Sequence, residues 1–303
     1  MGATVIDKLE MFIALANERH FGRAAGVCGV TQPSLSGAIK QLEDQLGVQL
    51  VWRGSRFQGL TPEGARVLDW AQRIVADARA MKDEMRAARV GLAGRLRIGV
   101  IPTALSMVVD LTQAFASRHP NVRLSILSRT SVEILQQIET LEIDAGITYL
   151  DNEPLGRVEA VPLFHETYLL LVAAGSALAG RTAVTWADVA AEPLCLLTPD
   201  MQNRRIISQH LAAAGVEVEA RVESNSVITL ISHVLTGHWA SVVPVKTAEL
   251  FATQPGLGTG LRAIPIADHG PRHLVGLIAA MRNPHTPVLA ALIHEARRIS
   301  VAD

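Results

Sequence analysis

A mixed α/β fold in three parts is predicted by three observations. Residues 9–46 carry short amphipathic helical patterns separated by a turn, and an Arg- and Gly-containing segment follows. Residues 62–90 hold one long helical stripe. From residue 95 to the end, strand-like apolar runs alternate with helical ones. The first pattern is that of a winged helix-turn-helix, a device for placing one helix in the DNA major groove. The second reads as a linker helix, and the third as a two-lobed α/β domain. The predicted boundaries are 1–61 for the DNA reader, 62–90 for the linker, 91–94 for a hinge and 95–303 for the α/β domain. Within that domain, lobe 1 is about 95–163 with 268–303, and lobe 2 is about 164–267.

The reader begins with LEMFIALANE, apolar at 9, 12, 13, 15 and 16, a helical period. Phe21, Ala24, Ala25 and Val27 continue the spacing in a second short helix, whose alanines suit a close crossing. Gly26 and Gly29 fall near the turn. Thr31 is a natural N-cap, and Pro33 fits the first turn, where its missing N–H costs nothing. Leu35, Ile39, Leu42 and Leu46 predict the buried face of the recognition helix. The opposite face offers Gln32, Ser34, Ser36, Lys40 and Gln41 to DNA: Gln can read adenine bidentately, Ser can bond bases or phosphates, and Lys can meet phosphate. Arg53 and Arg56 lie in the wing segment, where Arg suits a narrow minor groove. Arg23, Thr31 and Pro33 complete the candidate DNA-binding set.

Thr61-Pro62-Glu63 opens the linker helix, about 42 Å long at about 1.5 Å per residue. Leu68, Ala71, Val75, Ala78, Met81, Met85 and Ala88 predict a coiled-coil-like seam, with Asp69 and Arg73 as an i,i+4 pair. Dimerisation along it would present two readers to two half-sites. Gly91 and Gly94 then break the helix.

In the α/β domain, 96–101, 122–127 and 144–148 read as strands, with helices through Ser117 and over 132–141. A mainly parallel sheet is expected, with ligands beyond the strands' carboxyl ends. Residues 168–174, CLL at 195–197, a helix near 203–214 and SVVPV at 241–245 repeat the logic. Residues 273–281 and a last helix, 287–299, return to lobe 1. Thr103, Thr130-Ser131-Val132-Glu133 (a capping-box spacing), Thr148 and the segment Thr198–Arg205 fall at strand-to-helix turns, where free N–H groups bind anions and an Arg can clamp a carboxylate.

A net charge of −1 excludes a wholly basic nucleic-acid coat. In residues 1–60, Lys or Arg at 8, 19, 23, 40, 53 and 56 barely outweigh Asp or Glu at 7, 10, 18, 43 and 44. DNA affinity must come from placement of charge and from doubling it by dimerisation. No apolar run reaches the roughly 18 residues of a membrane span. MGATVIDKLE has neither a basic n-region nor an apolar core, so no secretion signal is expected. Two cysteines, Cys28 and Cys195, indicate a reducing compartment without a disulfide framework. The histidines fall at no metal-ligand spacing, and GxSxG, HExxH and phosphate-loop motifs do not occur. Neither an enzyme, a metal nor a cofactor is expected.

Phe12, Phe21, Ala24, Ala25, Thr31-Gln32-Pro33-Ser34-x-Ser36, Ile39, Leu42-Glu43, Leu46-Gly47, Leu50, Arg53, Arg56, Leu60-Thr61-Pro62 and Gly64 together resemble the LysR-type transcriptional regulators, and the resemblance spans the chain. Gly37 stands where many members carry Arg, and Val51-Trp52 replaces the usual Phe-Glu. The resemblance implies an effector domain like periplasmic solute-binding proteins and a cytoplasmic, nucleoid-associated homotetramer. It also implies binding to double-stranded promoter DNA and a small effector at Thr103, Ser131 and the 198–205 loop. The candidate effector set is Thr103, Ser131, Thr148, Thr198, Gln202, Asn203 and Arg204, and a small anion is the expected ligand. LEIDAGITYLDNEPLGR and LLTPDMQNRR look similar to regulators found with formate-oxidation genes, which makes formate or another small carboxylate a candidate. Two rival readings stand beside it. One is a thiol-based redox sensor, because Leu35-Ser36-Gly37 and Leu42-Glu43-Asp44 resemble peroxide-sensing members, whose reactive cysteine aligns with Gln202. The other is a repressor that needs no effector.

Overall fold

The computed structural model describes residues 3–52, 57–252, 260–267, 270, 272–282 and 284–300, without the side chains of 83 and 86–90. Two compact units result. The first is Met1–Ala93 with the short segments Glu139–Glu142 and Arg282–Pro287, and the second is the remainder. Among the described residues, no helix is long and apolar enough to cross a membrane.

The first unit holds α1 (Val5–Glu18), α2 (Phe21–Cys28), α3 (Gln32–Leu46) and α4 (Pro62–Val90). Helix α1 starts four residues before its apolar stripe because Thr4 and Asp7 form a capping box. Arg19 and Gly29 end α1 and α2 in left-handed conformations, which the glycine adopts freely. Ala24 and Ala25, buried to 0% and 3% exposure, let the helices cross closely. Phe12, Leu15, Leu35, Ile39, Leu42, Leu50, Ala71 and Val75 share one core. Two expected core positions are outside it: Val27 and Leu46 are exposed. Both sit in the last turn of their helix, beyond the reach of the crossing partner.

After α3, Glu43 accepts from the Leu50 and Val51 N–H groups at 2.8 and 3.3 Å. Val51 bridges Leu60 in antiparallel fashion, the root of the predicted hairpin. Thr61 accepts from the Gly64 N–H at 2.9 Å and so caps α4.

The seam predicted on α4 is corrected. Ala71 and Val75 face the core shared with α1. The exposed large apolar residues are instead Trp70, Ile74, Met81 and Met85, a stripe offset by one position along its first half. Arg73 lies 5.5 Å from the Trp70 ring centroid instead of pairing with Asp69. Ala88 lies outside the described side chains.

The second unit has two lobes. In lobe 1, β1 (Gly94–Val100), a 3-10 turn at Pro102–Ala104, α5 (Val108–Arg118), β2 (Val122–Ser128), α6 (Ser131–Glu139) and β3 (Ala145–Tyr149) follow one another. β4 (Val158–Glu166) then completes the lobe's outgoing chain. Lobe 2 contains β5 (Tyr168–Ala173), α7 (Trp186–Ala191), β6 (Cys195–Leu197), α8 (Gln202–Ala213), β7 (Val222–Ser224), α9 (Val227–Leu235), β8 (Ser241–Pro244), α10 (Val245–Ala252) and β9 (Leu261–Pro265). β10 (His273–Ala280) and α11 (Pro287–Ile299) complete lobe 1.

The lobe 1 sheet has the order β2-β1-β3-β10-β4. β1 is parallel to β2 and β3, and β10 is antiparallel to β3 and β4. Lobe 2 pairs β5 antiparallel to β8 and β9, and β6 parallel to β7. The expectation of mainly parallel sheets therefore holds for β1–β3, where α5 and α6 supply the crossovers that parallel neighbours need, and for the short β6–β7 pair. The chain returns to lobe 1 through β10 with no helix between β9 and β10 among the described residues, and β10 pairs antiparallel with both its neighbours. Lobe 1 also runs further than expected, because β4 stays paired with β10 through Glu166. The crossing is the single residue Thr167.

Candidate nucleic-acid interface and effector cleft

Helix α3 turns Leu35, Ala38, Ile39 and Leu42 inward and leaves Gln32, Pro33, Ser34, Ser36 and Lys40 exposed. Thr31 does the work of a cap: its hydroxyl accepts from the Ser34 N–H at 3.3 Å and lies 2.8 Å from the Ser34 hydroxyl. Thr31 and Ser34 are thus occupied with each other, whereas Gln32, Ser36 and Lys40 stand clear. Gly37 lies on the same exposed face, and a Cβ there would meet nothing within 4 Å. Arg23 is tied to Glu18 at 3.1 Å. Arg53 and Arg56 lie outside the described residues. The cap of α2 was missed from the sequence: His20 Nδ1 accepts from the Gly22 and Arg23 N–H groups at 3.1 and 3.3 Å.

In the second unit, Thr130 and Glu133 form the expected capping box, at 2.8 and 3.1 Å. That leaves the neighbouring Ser131 hydroxyl buried without a hydrogen-bond partner, as are those of Thr148 and Thr198. A Cβ on Gly146 would meet Ile134 of α6 at 2.3 Å. Thr148, two residues on, leaves the same sheet face, so it lies on the α6 side with Ser131.

Thr103 and Asn203 belong to a different cluster. The Tyr149 hydroxyl receives a bond from Asn203 Nδ2 at 3.2 Å, and lies 3.4 Å from the hydroxyls of Thr103 and Tyr168. It donates a short bond to Glu166 Oε1. Thr103, Tyr149 and Glu166 come from lobe 1, Tyr168 and Asn203 from lobe 2, so the cluster joins the lobes. Glu166 is 3% exposed, and its Oε2 has no hydrogen-bond partner. Burial pushes the Glu166 carboxyl above the ordinary carboxylate range, opposed by the Tyr149 hydroxyl bond. Burial, then the Glu166 charge, holds the Tyr149 and Tyr168 phenols well above theirs. Sequence reasoning missed Glu166, Tyr149 and Tyr168. The available signal was slight: an acid ending a strand that also holds Glu159 and His165, with Tyr168 two residues on.

Gln202 is buried and donates to the Asp151 carbonyl at 3.3 Å. Arg204 is directed elsewhere: it pairs with Glu223 at 2.8 Å and lines a surface pocket of about 640 Å³ with Glu217 and Glu219. Arg205 pairs with Glu153 at 2.7 Å. Among the described residues, no lysine or arginine pairs with any member of the Tyr149 cluster, so the arginine clamp expected from the sequence is not formed there. Close by, His210 stacks on Trp186 with ring centroids 4.9 Å apart, and His273 lies 5.9 Å from His210. No group of three or more His, Cys, Asp or Glu able to hold a metal occurs among the described residues.

Cys195 is fully buried, with Sγ 3.5 Å from the Ala240 carbonyl oxygen, and burial pushes its thiol up to about 11. Burial, then the Glu10 charge, also raises the Cys28 thiol.

Residues 6–65 match the family model described as bacterial regulatory helix-turn-helix protein, lysR family, and residues 89–299 match that of the LysR substrate binding domain. The DNA-binding transcriptional dual regulator OxyR of Escherichia coli is 30% identical over 280 residues, covering 92% of this chain and 90% of that protein. A probable hydrogen peroxide-inducible genes activator of Mycobacterium avium is 31% identical over 295 residues, covering 96% and 93%. Among solved structures, a full-length OxyR variant from Pseudomonas aeruginosa superposes with a TM-score of 0.76 at 25% identity, covering 100% of this chain and 99% of that one. Full-length CbnR in complex with its target DNA has the same fold, with a TM-score of 0.63 at 23% identity and 98% and 100% coverage.

Proposed function

The chain belongs to the LysR family of DNA-binding transcription regulators with an effector-binding domain, and from that premise we propose that α3 reads promoter DNA through Gln32, Ser36 and Lys40 while a small molecule binds between the lobes of the second unit. The exposed polar face of α3, opposite a fully packed apolar face, carries the DNA half of this reading. Gln32→Ala is expected to weaken specific binding by about 1–3 kcal/mol while leaving binding to unrelated DNA unchanged. Competition titrations read this directly, and an equal loss on both DNAs would reassign Gln32 to the backbone.

The buried, unpartnered hydroxyls and carboxyl oxygen around the lobe junction carry the effector half, since buried polar groups are ordinarily satisfied. Thr103 and Asn203, which meet at the Tyr149 hydroxyl across the lobes, and the unpartnered Ser131, Thr148 and Thr198 hydroxyls are the candidate effector contacts, and Gln202 is buried against the Asp151 carbonyl. Arg204 leaves the set. A small carboxylate, formate included, remains the ligand to test first. Thr103→Val is expected to weaken the responding anion at least tenfold without unfolding the domain. Unchanged affinity by thermal shift would remove Thr103 from the site.

Relatives named for hydrogen peroxide induction raise a thiol-sensing alternative. It has little support in this chain, where burial pushes both thiols above the ordinary thiol range, the opposite of the lowered pKa a reactive thiolate needs. Dimerisation through the exposed α4 stripe, assembly to a tetramer, and action on the cytoplasmic nucleoid complete the reading.

A further inference from the structure

Three of the four residues that open α8 reach one short segment of lobe 1, residues 149–153. Gln202 Nε2 donates to the Asp151 carbonyl at 3.3 Å, and Asn203 Nδ2 to the Tyr149 hydroxyl at 3.2 Å. Arg205 takes Glu153 in a fork, Nε to Oε1 at 2.7 Å and Nη2 to Oε2 at 2.9 Å, the two-bond geometry that makes an Arg–carboxylate pair directional. Arg204, between them, turns back to Glu223 of its own lobe. Both sides of this contact are moored. The Leu150 N–H donates to the Leu274 carbonyl at 2.7 Å, and Asp151 Oδ2 accepts from the Leu274 N–H at 3.1 Å, which ties the 149–153 segment to β10. On the other side, Arg205 Nη1 donates to the Pro199 and Asp200 carbonyls at 3.1 and 2.8 Å, which aims the guanidinium at Glu153.

The lobes have separate sheets, and the outgoing chain crosses between them at Thr167 alone. So short a connection leaves the angle between the lobes to be set by side-chain contacts. The geometry points to a clasp: the first turn of α8 grips residues 149–153 and sets how far the lobes stand apart, with Arg205 and Glu153 as its positioning pair. One rigid helical turn carries all three bonds, so they form and break together. The separation of two lobes is the variable through which hinged proteins respond to what binds between them. Here the protein's own side chains bias it toward closure. The Arg205–Glu153 pair is one-third exposed on each side, so salt weakens the clasp. The clasp goes beyond the reading given above and stands whichever molecule the second unit binds.

The chain has two tyrosines, Tyr149 of lobe 1 and Tyr168 of lobe 2. They are 1% and 3% exposed, and their hydroxyls lie 3.4 Å apart at the lobe junction. The rate at which tetranitromethane nitrates them in the full chain, read by mass spectrometry of the peptides, therefore reports how often the lobes part. Cys195 supplies the internal control. It is fully buried within the core of lobe 2, so its alkylation by iodoacetamide reports unfolding of that lobe. Glu153→Ala and Arg205→Ala are each expected to raise the nitration rate of both tyrosines about tenfold, the lower end for bonds to a charged group because the pair is partly screened. The double variant should be no faster than either single one, and alkylation of Cys195 should stay at the parental rate. Arg204→Ala, on the same helical turn but paired within lobe 2, should leave nitration unchanged. If Arg205→Ala fails to fold, Glu153→Ala on the lobe 1 side still decides. Parental nitration rates in Glu153→Ala overturn the clasp, and so does faster nitration of Tyr149 alone, which would mark a local rearrangement. Nitration and Cys195 alkylation that rise together overturn it too, since lobe 2 would then be unfolding and not parting from lobe 1.

Discussion

Gly64→Ala is expected to abolish specific DNA binding and to destabilise the first unit by about 3 kcal/mol, the upper end of ordinary overpacking costs. A Cβ at this position would stand 2.0 Å from the Leu50 carbonyl oxygen and 2.9 Å from its carbonyl carbon. Both are backbone atoms, so no rotamer change relieves the clash. Nor can Leu50 retreat. Its side chain is fully buried, its N–H is held by Glu43 at 2.8 Å, and its carbonyl accepts from the Thr61 N–H at 3.0 Å. The only relief is to part the first turn of α4 from the strand before the wing, which breaks the Thr61 cap and displaces α4 from the core it shares with α1 and α3. Gly37 is the control, since its added Cβ meets nothing within 4 Å; alanine there should be neutral or favourable. Urea denaturation and DNA titration of the two variants beside the parent give the answer. A parental midpoint for Gly64→Ala would show that the strand yields freely.

Gly64 also shows which parts of this protein can be read without coordinates. The reader was legible because its constraints are local: the Thr31 cap, the Pro33 turn, the Leu35–Leu42 face and the Thr61-Pro62 start each act within one or two helical turns. The strands β1, β2, β3, β5 and β10 were legible as apolar runs. β4 was missed, and so were β7 and β9. β7 is three residues long, and β9 carries an Arg, so neither makes a periodic signal. Helix α9, VITLISHVL, was missed although Val227, Leu230, Ile231 and Val234 repeat at helical spacing and the last three are buried. The offset of the α4 seam has another origin. Ala71 and Val75 look alike whether they face α1 or a partner helix, and only the packing distinguishes them. The cluster that joins the lobes was half legible. Thr103 and Asn203 sit at turns, where sequence logic looks for ligands. Glu166, Tyr149 and Tyr168 meet only because β3, β4 and the lobe crossing bring distant segments together, and no spacing encodes that. The Arg204 expectation failed for a related reason: one position along α8 separates a side chain facing Tyr149 from one facing Glu223.

Met81→Glu is expected to leave the chain folded and to weaken its self-association by at least a hundredfold. Helix α4 carries two apolar faces. One, with Ala71, Val75, Ala76 and Ala80, is buried. The other, with Trp70, Ile74, Met81 and Met85, remains between 44% and 63% exposed. Its spacings of 4, 7 and 4 repeat as a heptad seam does, and four large apolar side chains in a row are more than a solvated helix face needs. In a two-fold pair of α4 helices each position is buried twice. Losing a methionine's burial costs about 1.5–3 kcal/mol per side chain, and about 3 kcal/mol or more per dimer corresponds to at least a hundredfold in affinity. Two carboxylates in the seam add to the loss. Because Met81 lies outside the core shared with α1, circular dichroism should be unchanged, and Met81→Leu should restore association. Sedimentation equilibrium measures the first effect. The DNA consequence is separable: a reader confined to one half-site keeps its contacts through α3 but loses the gain from two, so affinity for a full operator should drop to that for a half-operator. If sedimentation is unchanged while DNA binding falls, the stripe meets something other than a second copy of α4, and the pairing of readers must be sought on the second unit.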